Sequence, residues 1–192
     1  MCNLYTQTKS VDEVARVFSD LQMPLGFPEG APNLQARDIC ITDPAPIVRS
    51  GDNGPELVVR RWSWPGPGGK PVFNFRSDGR DFPEGRCIAI ADGFYEFTAP
   101  QDPKAKRKHK WRFSLKGAPL FGIAALCRND PKVGEAFTLL TTEPSEDVRP
   151  YHHRQIALLA PQDFARWLDP AVPSAELLKP LPPGSLEVEQ IC

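Results

Sequence analysis

Short hydrophobic runs recur along most of the chain between polar and turn residues, and this pattern predicts a protein built mainly from β-strands. Eight runs are rich in β-branched and aromatic residues and are separated by turn residues, as is typical of short strands. The predicted strands cover residues 56–62, 71–75, 86–91, 94–98, 111–115, 120–126, 137–142 and 155–159. Because long helical crossovers between these runs are missing, we expect a mainly antiparallel, barrel-like sheet.

Helical spacing of apolar residues occurs in two short segments. Ser10 and Glu13 have the spacing of a capping box, and the apolar residues that follow recur at helical intervals. We therefore predict one amphipathic helix over residues 11–21. Pro161 suits the first position of a second short helix, whose apolar face would come from residues 164–168.

Proline and glycine dominate two further segments. In residues 23–55 they recur every few positions, which predicts a loop-rich wrap with a short extended piece at 38–42. Residues 170–192 form a proline-rich C-terminal extension, which we expect to pack on the rest of the protein with one helical turn near 175–179.

Length and composition favour one globular domain. A chain of 192 residues can bury one sizeable hydrophobic core, and its 41% hydrophobic and 24% charged residues are ordinary globular values. We therefore predict an α+β fold in a single compact domain over residues 1–192. Its core would be a mainly antiparallel β-barrel with a few flanking helices, and we expect a monomer.

The net charge limits the partners that we expect, and the cysteine pattern indicates the cellular compartment. The formal net charge is −1, so no global positive field indicates a nucleic-acid partner, and any DNA site must be a local basic groove. The five cysteines are far apart and lack a Cys-x-x-Cys pair, which favours reduced thiols in a cytoplasmic protein. No signal-peptide or membrane-span pattern is present in the sequence, so we expect no membrane partner.

Two motifs that suggest cofactors or metals fail on inspection. The glycine-rich loop at 66–70 lacks the first glycine and the final serine or threonine of a phosphate-binding loop. His152 and His153 are adjacent, so on a strand they would point in different directions and could not chelate one ion. The sequence therefore predicts neither a cofactor nor a metal.

A basic run at residues 104–110 has two interpretations. It is most simply a solvated hairpin tip between two strands. Its alternative is an edge that follows DNA phosphates, which becomes attractive only if other residues already indicate DNA.

Cys2 is the most informative position, because removal of Met1 would leave an α-amine and a thiol on adjacent carbons. Such a 1,2-aminothiol condenses with an aldehyde to an imine, and the thiol then closes a thiazolidine ring. Both groups have ordinary pKa values near neutrality, about 8 for the amine and about 8.5 for the thiol. Because Cys2 is close to the end of the chain, we expect its side chain to contribute little to packing. Without the other motifs, Cys2 could simply be the second residue of a cytosolic protein.

Other segments carry polar groups that suit proton transfer and anion binding. Glu96 lies in an aromatic segment where burial could raise its pKa. Asn74 and Arg76 alternate onto one sheet face, where they could hold an aldehyde oxygen and a phosphate. His152 precedes a predicted strand and could act as an acid or hydrogen-bond donor. Each residue also has an ordinary structural interpretation, as an outward strand residue, a turn-proximal polar group or a structural histidine.

Several motifs in one order, spread from residue 1 to about residue 169, resemble the SOS-response-associated peptidase family, the abasic-site shield proteins. They are Met-Cys-Asn-Leu-Tyr at 1–5, Arg-Trp-Ser-Trp-Pro at 61–65, Asn-Phe-Arg-Ser-Asp at 74–78, Arg-Cys-Ile-Ala-Ile-Ala-Asp-Gly-Phe-Tyr-Glu-Phe at 86–97, and Thr-Thr-Glu at 141–143 followed by His152 and Arg154. The chain departs from the family pattern at Leu4, where many members have arginine, and at Gln155-Ile156.

The resemblance implies a function and a set of site residues. The implied function is binding of single-stranded DNA and covalent thiazolidine crosslinking of abasic sites during the DNA damage (SOS) response, in the cytoplasm and at the nucleoid. The implied catalytic residues are Cys2 as nucleophile, Asn74 and His152 as stabilisers of the reacting sugar, and Glu96 as acid or base. The implied DNA-contacting residues are Arg61, Trp62, Arg76, Ser77 and Arg154.

Three other functions stay open at this point. The chain could be a cysteine peptidase that uses Cys2 and His152 against other proteins. It could be a non-catalytic single-strand binding module whose aromatic residues stack on bases. It could also be a family member without retained activity, which the departures at Leu4 and at Gln155-Ile156 would explain.

Overall fold

The computed structural model describes residues 2–100, 104 and 107–192, and most of the elements within these ranges are short strands. Strand-forming residues alternate with turn residues along the chain, which keeps each strand brief. In chain order the strands are β1 (Leu4–Gln7), β2 (Arg37–Cys40), β3 (Pro44–Gly51), β4 (Gly54–Trp62), β5 (Trp64–Pro65), β6 (Pro71–Val72), β7 (Asn74–Arg76), β8 (Arg86–Ala91), β9 (Gly93–Thr98), β10 (His109–Leu115), β11 (Phe121–Asp130), β12 (Gly134–Thr142), β13 (Gln155–Ile156), β14 (Leu158–Leu159) and β15 (Leu186–Gln190).

Five strands close into the predicted barrel. The hydrogen-bonded order is β12-β4-β3-β8-β11, and β11 pairs again with β12 to complete the ring. Every pair in the ring is antiparallel except β4 with β12, which is parallel. Closure leaves the ring without free edges, so its backbone polar groups are satisfied between neighbours. The predicted barrel-like α+β fold is confirmed.

A second sheet carries the start of the chain across the barrel. Its strand order is β15-β10-β9-β1-β2, and β1 lies antiparallel to β9 with Tyr5 opposite Phe94. Tyr5, Phe94 and Phe113 from this sheet pack in one buried cluster with Phe121 and Phe137 of the barrel. The N-terminal segment is therefore fixed by hydrogen bonds and by burial of aromatic side chains, which gives residues near position 2 a defined place.

Two helices cover the other face of the barrel strands. Helix α1 (Val11–Asp20) begins at Ser10, which forms the predicted capping box with Glu13. The buried Phe18 of this helix stacks on Phe164 of α2 (Phe164–Leu168), with ring centroids 5.0 Å apart. No helix within residues 2–100, 104 and 107–192 is long and apolar enough to cross a bilayer.

The largest departure from the sequence prediction is β3, which lies in the segment expected to be loop-rich. Pro44 and Pro46 pair only with β4, while the pairing of β3 with β8 starts at Ile47. Proline has no N–H to donate, so both prolines sit where β3 has a neighbour on one side alone. Strands β1 and β15 were also not predicted, and β15 brings the C-terminal extension onto β10.

Candidate active site

Cys2 lies immediately before β1 and is almost completely buried, with 1% of its surface exposed. Its Sγ donates a hydrogen bond to the carbonyl of Leu4 at 3.2 Å. The expectation that Cys2 contributes little packing is therefore wrong, because its side chain is part of the main hydrophobic cluster. Burial, and next the nearby carboxylate of Glu96, raise the pKa of the thiol to about 12. The thiol is protonated at neutral pH in this form of the chain, and it needs a base before it can react.

Asn74 contacts Cys2 directly. Its Nδ2 donates to the backbone carbonyl of Cys2 at 2.8 Å, a contact between residues 72 positions apart in the sequence. Asn74 is held in place because β7 runs parallel to β12, with Asn74 opposite Leu139. The structure thus brings together two residues that the resemblance marks as catalytic.

Glu96 approaches the same end of β1 from the neighbouring strand. Strands β1 and β9 are antiparallel, and Tyr5 lies opposite Phe94. The residues before Tyr5, toward Cys2, therefore lie beside the residues after Phe94, toward Glu96. The side chain is 3% exposed. Burial raises the pKa of Glu96 to about 7, against the opposing effect of the positive amino terminus. A carboxyl that is half protonated near neutral pH can both accept and donate a proton.

His152 lies in the segment between β12 and β13 and is oriented by backbone. Its Nδ1 is 2.9 Å from the carbonyl oxygen and 3.0 Å from the nitrogen of Arg154, so the ring nitrogen has a backbone partner in either tautomer. Burial, and next the positive amino terminus, lower the pKa of His152, which favours a neutral imidazole at physiological pH.

The two adjacent histidines do not point apart, because they are not on a strand. The rings of His152 and His153 stack with centroids 4.4 Å apart and an interplanar angle of 21°. Within the described residues no three His, Cys, Asp or Glu side chains are grouped closely enough to hold a metal ion.

Arg154 and Ser77 are directed into the protein in this structure. The Arg154 guanidinium pairs with Asp78 at 2.7 Å and donates to the carbonyl of Thr141 at 2.8 Å. The Ser77 hydroxyl donates to the same carbonyl at 2.8 Å. These bonds tie the His152 segment and β7 to the end of β12, so both residues, implied as DNA contacts, are placed here to position the residues around them.

Trp62 occupies the interior beneath β1. It is fully buried, its Nε1 donates to the carbonyl of Phe73 at 2.8 Å, and its ring lies edge-on to Tyr5 at 5.2 Å. No ring face is left on the surface for a base, so the implied DNA contact by Trp62 is corrected to a packing role under the site. Arg61 is half-buried and donates to the carbonyl of Thr42 at 3.3 Å.

Arg76 is exposed and forms no ion pair with the described residues, which leaves its guanidinium available to an anion. Arg60, in contrast, is held by Glu29 and Glu135. Among the described residues, Arg76 is therefore an implied DNA contact whose guanidinium is exposed and has no ion pair.

Asp92 is a site residue whose role was not predicted. Its carboxylate accepts hydrogen bonds from the hydroxyl of Thr6 and from the backbone of Thr8 at 2.9 Å, and so fixes the far end of β1. Two threonines at alternate positions, Thr6 and Thr8, and an acidic residue between two predicted strands are the signal that could have indicated this anchor.

Replacing Glu96 with Gln is expected to stabilise the protein at alkaline pH. A carboxyl whose pKa rises from 4.5 to about 7 on folding contributes its full stability below pH 4.5 and loses it as the pH rises through 7. Glu96→Gln should therefore increase the free energy of unfolding more at pH 8 than at pH 4. The difference between its effects at the two pH values should be about 3 kcal/mol at most. Urea unfolding of both proteins at the two pH values measures this difference, and an equal effect at both would contradict the raised pKa.

Comparisons with known proteins agree with this architecture. The sequence profile described as SOS response associated peptidase (SRAP) matches residues 1–192. The abasic site processing protein YoqW of Bacillus subtilis is 27% identical over 214 aligned positions, which cover 100% of this chain and 92% of that protein. The abasic site processing protein HMCES of Gallus gallus is 34% identical over 120 residues, 52% of this chain and 36% of that protein. A crystal structure of a Bacteroides thetaiotaomicron protein matches the fold with a TM-score of 0.76 at 20% identity, over 100% of this chain and 92% of that one.

Proposed function

The chain belongs to the SOS response associated peptidase family, and from this premise we propose that it captures abasic sites in single-stranded DNA as a covalent thiazolidine on Cys2. The relatives that are named abasic site processing proteins support the substrate class. The observation that carries the proposal is the convergence of Cys2, Asn74 and Glu96 at one end of β1. We place this activity in the cytoplasm, during the response to DNA damage.

The proposed chemistry begins with hydrolysis of the bond between Met1 and Cys2, which frees the α-amine. The amine of Cys2 attacks the aldehyde carbon of the opened abasic sugar, and loss of one water leaves an imine. The thiol then adds across the C=N bond, so that a C–S bond forms and the thiol proton is transferred to the nitrogen. The thiazolidine is an isomer of the imine, and no oxidant or metal is needed for the balance.

Glu96 supplies the proton transfers in this proposal. The closed form of the sugar must lose and gain a proton to open, and a carboxyl with a pKa near 7 suits both steps. The buried Cys2 thiol also needs a nearby base, because its pKa is raised to about 12. Glu96 is suited to this role because its carboxylate already acts on the Cys2 thiol, whose pKa it raises.

Asn74 and His152 position the reactants. Asn74 holds the main chain of Cys2 through the 2.8 Å hydrogen bond, so the nucleophile is pre-oriented before DNA binds. The neutral imidazole of His152, oriented by the backbone of Arg154, can donate to the sugar oxygen as the ring opens.

Arg76 is the residue we expect to bind a DNA phosphate. Arg76→Ala should lower the affinity for single-stranded oligonucleotides and reduce the slope of log affinity against log salt by about 0.7, the value for one phosphate on a single strand. Fluorescence anisotropy at several salt concentrations measures this slope. Arg16→Ala, on the exposed face of α1, is the matched control and should leave the slope unchanged. An unchanged slope for Arg76→Ala would remove the phosphate contact.

A groove that includes Phe75, the residue before Arg76 on β7, suits the unpaired bases of such a strand. Its volume is about 690 Å³, and its lining includes Trp64, Phe75, Arg80 and Arg128. The guanidinium of Arg80 lies 4.7 Å above the ring of Phe75, and that of Arg128 lies 4.1 Å above Trp64. Aromatic rings beside cations favour base stacking and phosphate neutralisation together.

The geometry does not favour a general cysteine peptidase. A peptidase thiol is activated by a lowered pKa, usually through a partner histidine, whereas burial raises the pKa of Cys2. A non-catalytic binding module is distinguished by chemistry, because it would bind DNA reversibly without any bond to Cys2.

The proposal is tested by incubating the protein with an oligonucleotide that carries one abasic site, followed by denaturing electrophoresis. The expected result is a slower-migrating band that survives denaturation and is missing for an oligonucleotide with an intact base. Binding without this band would favour the non-catalytic module, and cleavage of an unrelated peptide substrate would favour the peptidase.

A further inference from the structure

Trp111 lies directly across from Glu96, although the proposed reaction has so far given it no role. Strands β9 and β10 are antiparallel, and Trp111 and Glu96 are register partners. Directly opposed residues on neighbouring strands project to the same face with Cβ atoms about 5 Å apart. The Trp111 side chain is half-buried and packs against the cluster that contains Cys2. It is therefore the cross-strand apolar neighbour of the carboxyl.

The Trp111 ring is held in a single orientation by two contacts. Its Nε1 donates to the hydroxyl of Thr98 at 2.9 Å, and Thr98 lies two residues beyond Glu96 on β9. Its ring contacts the ring of Tyr151, with centroids 4.7 Å apart and an interplanar angle of 57°. Tyr151 also lies edge-on to the buried Phe113 at 5.2 Å, so both rings are anchored to the core.

Tyr151 immediately precedes His152 in the chain. The segment that presents the imidazole is thus fixed on one side by the ring contact with Trp111. On the other side it is fixed by the hydrogen bonds of Arg154 to Thr141 and Asp78. Trp111 therefore contacts both sides of the site. One side is β9, which carries Glu96, and the other is the segment that carries His152.

We propose that Trp111 is a positioning residue of the reaction inferred above: it excludes water from Glu96 and holds the His152 segment against the same site. This inference rests on the proposed function for its catalytic meaning. The control of the Glu96 environment by Trp111 can be tested whether or not the protein catalyses any reaction.

The charged groups around Glu96 leave Trp111 as the side chain best placed to set its environment. In the N-terminal segment, the positive amino terminus acts on Glu96, and Glu96 in turn acts on the Cys2 thiol. On β10, His109 shares the face of Trp111, and its Nδ1 lies 3.0 Å from the amide nitrogen of Gln190 on β15. His152 and His153 lie in the segment after β12.

The neighbouring residue on β9 faces away from the site. Tyr95 donates to Asp38 at 3.1 Å, and the Lys110 ammonium lies 3.7 Å from the Tyr95 ring centroid. This charged cluster is on the opposite face of the sheet, since successive side chains of a strand alternate. A change at Trp111 is therefore expected to act on Glu96 through water access rather than through this cluster.

The test is a carbon-13 NMR titration of the Glu96 carboxyl in the wild-type protein and in Trp111→Leu. Replacing the indole by a smaller side chain admits water, so the pKa of Glu96 should fall by about one unit or more toward its ordinary value. Trp64→Leu is the matched control for the titration, because Trp64 is another largely buried tryptophan but lies in the groove beside Arg128, on a strand that does not pair with β9. It should leave the titration unchanged.

Two further variants separate positioning from general destabilisation. Trp111→Phe keeps an aromatic wall and should retain most of the raised pKa. Thr98→Val removes only the hydrogen bond that orients the indole, and should give a smaller shift in the same direction as Trp111→Leu. If Trp111→Leu is folded and the Glu96 titration does not move, the inference is overturned. If Trp111→Leu does not fold, the same titration of Thr98→Val decides, and an unchanged pKa there overturns the inference.

The reaction gives an independent readout. In the pH profile of adduct formation, the transition assigned to Glu96 should shift in Trp111→Leu by the same amount as the NMR titration. Absence of any adduct in the wild-type protein would remove the proposed function, while the titration would still decide whether Trp111 controls Glu96.

Discussion

Cys2→Ala is expected to abolish the denaturation-resistant adduct with abasic DNA, because alanine retains the α-amine but has no thiol to close the ring. Any remaining product would be an imine, which hydrolyses back to the aldehyde. Denaturing electrophoresis after incubation should therefore show less than about one hundredth of the wild-type adduct, the equivalent of about 2.7 kcal/mol in the free energy of the captured state. Undiminished adduct in this variant would remove Cys2 from the chemistry.

Cys2→Ser sharpens the same experiment. The hydroxyl is smaller and much less nucleophilic than the thiol, so imine should accumulate without the stable ring. Borohydride would then trap the Cys2→Ser imine as a stable amine, whereas the wild-type thiazolidine needs no reduction.

The folding control for these variants is Cys87→Ala. Cys87 is fully buried in the same hydrophobic cluster as Cys2 and lies on β8 of the barrel. Both alanine substitutions remove a buried sulfur and create a small cavity, with comparable expected losses of stability of about 1 to 2 kcal/mol. Only the Cys2 variant should lose the adduct, and a similar loss for Cys87→Ala would indicate damage to the core rather than loss of the nucleophile.

Glu96→Gln is expected to slow adduct formation by a factor of roughly 10² to 10⁴, the range for removal of a general acid–base group. Glutamine keeps the size and polarity of the side chain but cannot exchange a proton at neutral pH. The rate of sugar opening should fall, while the final yield falls less because the aminothiol itself forms the bond. Quenched time courses with a single-site abasic oligonucleotide measure both quantities.

The matched control is Glu143→Gln, which replaces an exposed carboxylate just after β12. It should react at the wild-type rate. In the wild-type protein the rate should also change with pH around 7, where burial places the pKa of Glu96. A wild-type rate for Glu96→Gln would leave His152 as the proton carrier and reduce Glu96 to a structural residue of β9.

Much of the barrel could be predicted from the sequence, because β4, β8, β11 and β12 contain short runs of apolar residues between clear turn signals. Strand β3 could not, since Pro44 and Pro46 are strong loop signals and their tolerance depends on which edge each faces in the finished sheet. Strand β15 was hidden for a different reason. Its exposed positions carry charged residues suited to a sheet edge, and such residues are also typical of a tail.

The turn at Ser63 could not be predicted from the sequence. Ser63 adopts a φ of 90°, in the left-handed region that favours glycine, and a serine does not indicate that conformation.

The candidate site could be predicted only as a set of residues, not as an arrangement. Motif resemblance selected Cys2, Asn74 and Glu96, but their proximity depends on how β1, β7 and β9 are placed around the barrel. Burial was the property least visible in the sequence. It raises the pKa of the Cys2 thiol far from its ordinary value, and it removes Trp62 from the surface.

A bond between the DNA aldehyde and both reactive atoms of Cys2 can be identified by mass spectrometry of the crosslinked N-terminal peptide. We expect a peptide that begins at Cys2, has lost Met1, and carries the abasic nucleotide with the loss of one water. Fragment ions should place the added mass on Cys2, and its thiol should be resistant to alkylation. A crosslink on any lysine, or on a Cys2 whose thiol still alkylates, would rule out the thiazolidine.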